Sequence, residues 1–184
     1  MTAQQLSPLP SPLCRPNNGA HIEKRQDSRL LRNTLGSFAT GVTVVTALAR
    51  SGAPLGVTVN SFASVSLDPP LVLWSQVKSA PSHREFLEAE TVVINVLSAH
   101  QQQLSQHFSR PSPDKFADIE YQPAACGTPI LAGCAATFIC RVVDHYYGGD
   151  HTIHLCKVDA FENHFREPLI FCRGAYLKSD LLPT

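Results

Sequence analysis

The stretch Thr58-Val59-Asn60-Ser61-Phe62-Ala63-Ser64-Val65-Ser66 sets five hydrogen-bonding side chains among nine residues of otherwise strand-forming character. A buried hydroxyl or amide left unpaired costs about 1–3 kcal/mol, so such a strand must face water or meet something polar. A polar ligand with an aromatic body suits it: hydroxyls and backbone amides for a phosphate or a ring edge, apolar neighbours for ring faces. An exposed strand leading into a serine-rich turn is the other reading of the same composition. Two further features fit an anionic ligand. Ser79 and Ser82 can cap a short helix whose start would cradle a phosphate, and Lys115 supplies a point charge.

The eight histidines raise the question of a metal. His151 and His154 are the tightest pair, but three residues apart on a strand they point to opposite faces and do not share an ion. His83, His100 and His107 fall in helical stretches and read as solvated surface residues, so no metal site is expected. The six cysteines contain no C-x-x-C pair and read as reduced, mostly buried small hydrophobes. The chain has no G-x-G-x-x-G, no G-x-x-x-x-G-K-[ST] and no G-x-S-x-G. A nucleotide bound here therefore sits outside the Rossmann and P-loop designs, and an ordinary serine hydrolase is disfavoured.

These residues must be positioned by a chain whose first 26 residues look like an arm. Pro8, Pro10, Pro12 and Pro16 with Asn17-Asn18-Gly19 interrupt any apolar period there. Asp27 or Ser28 then caps a helix with Leu31, Leu35 and Phe38 on one face, and Gly41 is placed to stop it. Residues 42–48 and 55–65 read as two strands joined by the turn Arg50-Ser51-Gly52-Ala53. Residues 71–74 follow Pro69-Pro70 as a third strand. Ser82-x-x-Glu85 is a capping box for a short helix through Phe86-Leu87, and residues 91–97 form another strand. Ser98-x-x-Gln101 opens a helix whose inner face is Leu104 and Phe108, and strands return at 135–143, 151–158 and 169–177. Many short strands, few helices and no strand-helix alternation predict a mainly β, antiparallel barrel over residues 27–184 as one domain.

Hydrophobic residues make up 43% of the 184 and charged residues 16%, with 15 cationic and 15 anionic side chains. Zero net charge favours self-association and argues against nonspecific nucleic-acid binding. No apolar run reaches the roughly 20 residues of a membrane-spanning helix and no signal peptide is visible, so a cytoplasmic protein without a membrane partner is expected.

In motif order from about Leu31 to Lys178, the chain resembles the short-chain flavin reductases that serve two-component flavin-dependent monooxygenases. Phe38-Ala39-Thr40-Gly41-Val42-Thr43 is similar to that family's opening helix-to-strand junction. The stretch from Thr58 to Ser66 with Pro69-Pro70 is similar to its main flavin-binding segment. Residues 93–97, Gln101, Phe108-Ser109 and Asp114-Lys115-Phe116 follow the next blocks, and Gly149-Asp150-His151 resembles its nicotinamide-side signature.

The resemblance implies a split β-barrel of the FMN-binding type, a homodimer, FMN or FAD as flavin, NADH or NADPH as reductant, and a flavin-dependent monooxygenase component as partner. It implies flavin contacts from Gly41, Val42, Thr43, Thr58, Asn60, Ser61, Ser64, Val65, Ser66, Ser82, Phe108, Ser109, Lys115 and Phe116. Asp150, His151 and Tyr176 would face the nicotinamide, with His151 positioning it rather than moving a proton. Cys156 stands where the family usually has glycine. The rival readings are a noncatalytic flavin-binding protein on the same barrel and an enzyme resembling pyridoxamine-phosphate oxidases. The second requires a basic cluster for its substrate phosphate, which the scattered Arg and Lys do not supply.

Overall fold

Val45, Val57, Trp74, Ile94 and Cys156 come from five separate apolar stretches, yet in the computed structural model they share one core. The structure describes residues 27–112 and 114–177; the expected arm over residues 1–26 lies outside them, as does Cys14. In chain order the elements are α1 (Ser28–Leu35), β1 (Thr40–Gly41), β2 (Thr43–Leu48), β3 (Pro54–Val59), β4 (Ala63–Leu67), β5 (Pro70–Val77) and α2 (His83–Glu88). There follow β6 (Thr91–Val96), α3 (Gln102–Ser109), β7 (Tyr121–Pro123), β8 (Pro129–Leu131), β9 (Ala136–Gly148), β10 (His151–Asn163), β11 (Ile170–Cys172) and β12 (Ala175–Leu177).

Seven strands form one antiparallel sheet in the order β3-β2-β6-β9-β10-β5-β4. The mainly β architecture expected from the sequence is what forms. Period-two alternation gives each strand two apolar faces. Val45 and Ala47 point inward with Val92, Ile94, Val72 and Trp74, an inner cluster that β3 also reaches through Leu55, Val57 and Val59. Val44, on the opposite face of β2, joins Leu97, Phe108, Phe116 and Leu131 in an outer cluster beneath α3. For one inner cluster to draw on both ends of the strand order, the sheet must curl. It is not closed into a hydrogen-bonded barrel, because its end strands β3 and β4 do not pair.

Several expected elements take other bounds. The strand over residues 55–65 divides into β3 and β4, because Asn60, Ser61 and Phe62 carry the chain across the seam from one end of the sheet to the other. Ser61 fixes that crossing, its Oγ donating to the Ser75 carbonyl and accepting from the Ser75 N–H, both at 2.9 Å. The strand over 169–177 folds into the β11–β12 hairpin about Arg173 and Gly174, whose φ values of +49° and +79° suit a tight turn. Helix α1 is capped by Asp27, as its sequence predicts, but ends at Gly36 rather than Gly41. Pairing of Thr40 and Gly41 with β11 draws the chain extended, and Leu31, Leu35 and Phe38 stay exposed.

The capping boxes differ. Gln101 reaches back to the Ser98 N–H at 2.9 Å, whereas the Ser82 hydroxyl accepts from Gln76 Nε2 at 3.2 Å and makes no cap bond. Two histidines read as solvated are engaged: His83 meets the Thr152 hydroxyl at 3.0 Å and His107 the Lys115 carbonyl at 2.8 Å. Their helices pack these faces inward, which a helical period alone does not register. His100 is exposed. The five described cysteines are free; Cys134, Cys140 and Cys156 are buried, whereas Cys126 is exposed. Among the described residues, no helix is long and apolar enough to cross a membrane.

Candidate flavin and nicotinamide site

The seam gathers the chemistry. On its β3 side, Gly56 is the one residue of that strand without a side chain, and the ring of Phe108 from α3 fills the place a Cβ would take, only 2.4 Å away. Glycine in a strand interior marks such a close approach. Helix α3 can therefore lie flat on β3. It is tied down by Thr58, whose hydroxyl donates to the Ser105 carbonyl at 2.7 Å, and by Tyr176, whose hydroxyl meets Ser105 Oγ at 2.9 Å. Phe116 packs edge-on against Phe108 at 5.2 Å between ring centroids.

Past the end of α3 the chain returns Lys115 over β3. Its Nζ donates to the carbonyls of Phe108 at 2.8 Å and Gly56 at 3.1 Å. Burial lowers the Lys115 pKa, and no carboxylate of a described residue pairs with it. The ammonium stands at a cavity of about 300 Å³ lined by Gly56, Ser82, Phe108, Ser109 and Ser112. Four expected flavin contacts, Ser82, Phe108, Ser109 and Lys115, thus meet around one opening. A positive charge without a counter-ion, ringed by hydroxyls over an apolar floor, fits an anionic group carried on an aromatic body.

Other expected residues are placed elsewhere. Asn60 and Ser61 line a second, larger cavity of about 1030 Å³ on the α1 side. Ser64, Val65 and Ser66 lie on β4, where a bulge leaves Val65 unpaired and about half exposed. Gly41 is exposed with open space at its Cα, Val42 belongs to the outer cluster, and the Thr43 hydroxyl donates to the Val59 carbonyl at 3.2 Å. Asp150 and His151 sit on the β9–β10 turn, with Asp150 Oδ1 and His151 Nδ1 2.8 Å apart. That bond holds the Asp150 carboxyl below its ordinary range. Lys78 fixes the turn, its Nζ donating to the Gly149 carbonyl at 2.7 Å and lying 5.1 Å from the Tyr147 ring centroid. Two residues further on, Ala80 begins the wall of the smaller cavity.

Cys156 enters the inner cluster beside Val72 and Trp74, so its side chain occupies core and not the groove. Lys78, Gly56 and the arginines Arg32 and Arg173 at the larger cavity are the parts of this region that sequence reasoning passed over. Of these only Gly56 carried a signal, a bare position in a strand of β-branched residues. Among the described residues no three His, Cys, Asp or Glu side chains assemble as a metal site.

Residues 35–179 match the flavin reductase like domain. The chain belongs to that family. It is 46% identical over 161 residues to the FMN reductase (NADH) SmoA of Agrobacterium fabrum, covering 88% of this chain and 91% of that protein. It is 43% identical to the reductase component of a flavin-dependent trigonelline monooxygenase of Acinetobacter baylyi, over 80% of this chain but only 48% of that longer protein. Among solved structures, the NADH:FAD oxidoreductase SgcE6 of Streptomyces globisporus in complex with NAD and FAD fragments superposes with a TM-score of 0.83. It is 36% identical, with 90% of this chain and all of that one covered.

Proposed function

We propose that this flavin reductase family member oxidises NADH or NADPH and supplies reduced FMN or FAD to a partner monooxygenase. The observation that carries the reading is Lys115, a half-buried cation without a carboxylate among the described residues, bonded to the Phe108 and Gly56 carbonyls at a cavity that Ser82 and Ser109 also line beside the seam. When both cofactors are bound they supply the hydride transfer themselves, so the protein's work is binding and orientation. Lys115 holds the flavin phosphate, Phe108 and Gly56 give the ring an apolar wall, and Asn60 with Ser64 to Ser66 offers polar edges across the seam. Ser61, Thr58 and Thr43 serve indirectly, their hydroxyls holding β5, α3 and β3 where the ligand needs them. Asp150 orients the His151 imidazole, which positions the nicotinamide.

The protein reads as a homodimer. Leu71, Leu73, Ile153 and Leu155 on β5 and β10 face away from the inner cluster and are only half-buried, an apolar sheet face suited to a second copy. A dimer by light scattering at micromolar concentration is expected; an active monomer contradicts it. Free cysteines throughout the described residues agree with a reducing, cytoplasmic setting. The test of function is oxidation of NADH that depends on added flavin, with bleaching of the flavin under anaerobic conditions. Flavin that binds without bleaching would make the protein a noncatalytic carrier. Turnover that needs no added flavin would remove the diffusible product.

A further inference from the structure

Gln76 is 2% exposed and stands on the inner face of β5, where the period-two positions before it, Val72 and Trp74, belong to the apolar core. Its amide Nε2 donates to Ser82 Oγ at 3.2 Å, and its Oε1 is buried with no hydrogen-bond partner. An amide with one end buried and unpaired is costly, whereas an apolar side chain of similar volume at the same place is not. Packing of β5 therefore does not account for a glutamine there. The bond to Ser82 does.

A hydroxyl oxygen accepts through its lone pairs and donates its one proton in a different direction. Because Ser82 Oγ accepts from Gln76 on the core side, its proton is turned away from the core. Ser82 makes no cap bond to α2, and among the described residues its hydroxyl donates to no acceptor. On its outer side lies the cavity of about 300 Å³ that Ser82 lines with Lys115, Ser109 and Ser112. The other two hydroxyls give their protons to the backbone, Ser109 to the Gln106 carbonyl at 2.8 Å and Ser112 to the Asp114 carbonyl at 3.1 Å. Ser82 alone of the three keeps a proton for a ligand. No carboxylate lines the opening, where the Lys115 ammonium supplies the charge.

We infer that Gln76 is a positioning residue: by occupying the core side of Ser82 Oγ, it fixes the Ser82 hydroxyl as a proton donor to the phosphate of a flavin bound at Lys115. The inference rests on the flavin reading of this cavity and adds to it a residue that does not itself touch the ligand. A hydroxyl without that partner presents a lone pair to the phosphate as readily as a proton, and the anion gains less from it.

The experiment measures FMN and riboflavin affinity by flavin fluorescence in the wild-type protein, Gln76→Leu, Ser82→Ala and the double variant. Riboflavin carries the same ring without the phosphate. Gln76→Leu should weaken FMN about fivefold and leave riboflavin within about twofold. In the Ser82→Ala background the same change should alter FMN by less than about twofold, because the hydroxyl it acts through is gone. Gln76→Met, of equal length and without a donor, repeats the measurement independently of how leucine packs. Equal weakening of FMN and riboflavin, or a Gln76 effect that persists at full size without the Ser82 hydroxyl, makes Gln76 a structural support of α2 and overturns the inference. FMN affinity unchanged or raised in Gln76→Leu also overturns it, since the amide would then be accepting the Ser82 proton. Wild-type protein that holds FMN no more tightly than riboflavin removes the phosphate from the cavity and overturns it as well. The expected cycle in a protein that never oxidises NADH in the presence of FMN keeps the role of Gln76 and loses the reductase reading, so the two failures are separable.

Discussion

The two faces of the curled sheet differ in how they hold their largest buried polar groups. Under α3, on the outer face, a network of such groups is bonded, although Thr137 Oγ1, across from Asn95, has no hydrogen-bond partner. Thr46 Oγ1 donates to the Pro129 carbonyl at 2.6 Å, Asn95 bridges the Val44 carbonyl at 3.1 Å and the Leu131 N–H at 2.9 Å, and Thr58, Ser105 and Tyr176 form a chain. In the inner cluster, His154 is fully buried with no hydrogen-bond partner on either ring nitrogen. It is held by stacking instead, its ring nearly parallel to Trp74 at 4.1 Å between centroids and edge-on to His145 at 4.9 Å. The outer network fixes the register of α3 and hence of Lys115, as a ligand site requires. Inside, Thr152 meets His83 and Gln76 donates to Ser82, but His154 is held by packing alone and is open to attack by protons.

The largest effect that would separate the two faces is truncation of the inner stack. Trp74 is fully buried, touches Phe86 edge-on at 5.3 Å and covers His154. Trp74→Ala should cost about 3–5 kcal/mol in urea unfolding, with the flavin affinity of the remaining folded protein little changed. A loss below about 1 kcal/mol would mean that the inner cluster is not what holds the sheet in its curl.

Next in size is acid. Burial, reinforced by His145 and His83, lowers the His154 pKa to about 3, and burial also lowers those of His145 and His83. The neutral form is therefore the folded form. As pH falls below the ordinary histidine value near 6.5, the unfolded chain takes up a proton that folded His154 refuses until about pH 3, so stability is lost across that window. At about 1.4 kcal/mol per pH unit, the loss from His154 reaches roughly 2 kcal/mol by pH 5. His154→Phe, which keeps an aromatic ring on Trp74, should flatten the pH dependence of unfolding between pH 7 and pH 5. An equally steep dependence in the variant would place the acid lability elsewhere.

On the outer face the corresponding test is Lys115→Met, which keeps the apolar stem and removes the charge. Loss of a charge-assisted contact to phosphate should weaken FMN by about 1.5 kcal/mol, roughly tenfold, while riboflavin, which lacks the phosphate, binds as before. Equal weakening of both would return Lys115 to a purely structural role in tying the loop to Gly56.

Much of this was legible in the residues and some was not, for physical reasons. The β-branched runs and Gly52 gave the β2–β3 hairpin, and the motif order led to the family. The polar stretch from Thr58 to Ser66 signalled that buried hydroxyls must find partners, which is sound. Composition could not say that Thr58 and Ser61 find theirs in the protein's own backbone, because those partners, Ser105 and Ser75, are 47 and 14 residues away. The division of residues 55–65 at Asn60 was hidden for the same reason: a strand that changes sheet edges keeps its local alternation. The unbonded state of His154 is a property of the curl and leaves no local trace.

The smallest expected effect lies at the β9–β10 turn, which belongs to neither face. His151 is exposed, bonded to Asp150 and three residues from buried His154 on the opposite side of β10. If it positions the nicotinamide, His151→Ala should raise the KM for NADH and lower kcat a few-fold, about 1 kcal/mol, with flavin affinity unchanged. The pH profile of flavin reduction by stopped flow decides between positioning and proton transfer. A positioning residue scales the whole profile down, whereas a general base contributes a limb that vanishes in the variant. Asp150→Asn sharpens the point, since it keeps a hydrogen-bonding partner for the imidazole but removes the charge that orients it. Hydride moves between the cofactors without a protein base. Both variants should therefore keep the wild-type profile shape between pH 6 and 9, and disappearance of a limb in His151→Ala alone would make His151 a proton carrier.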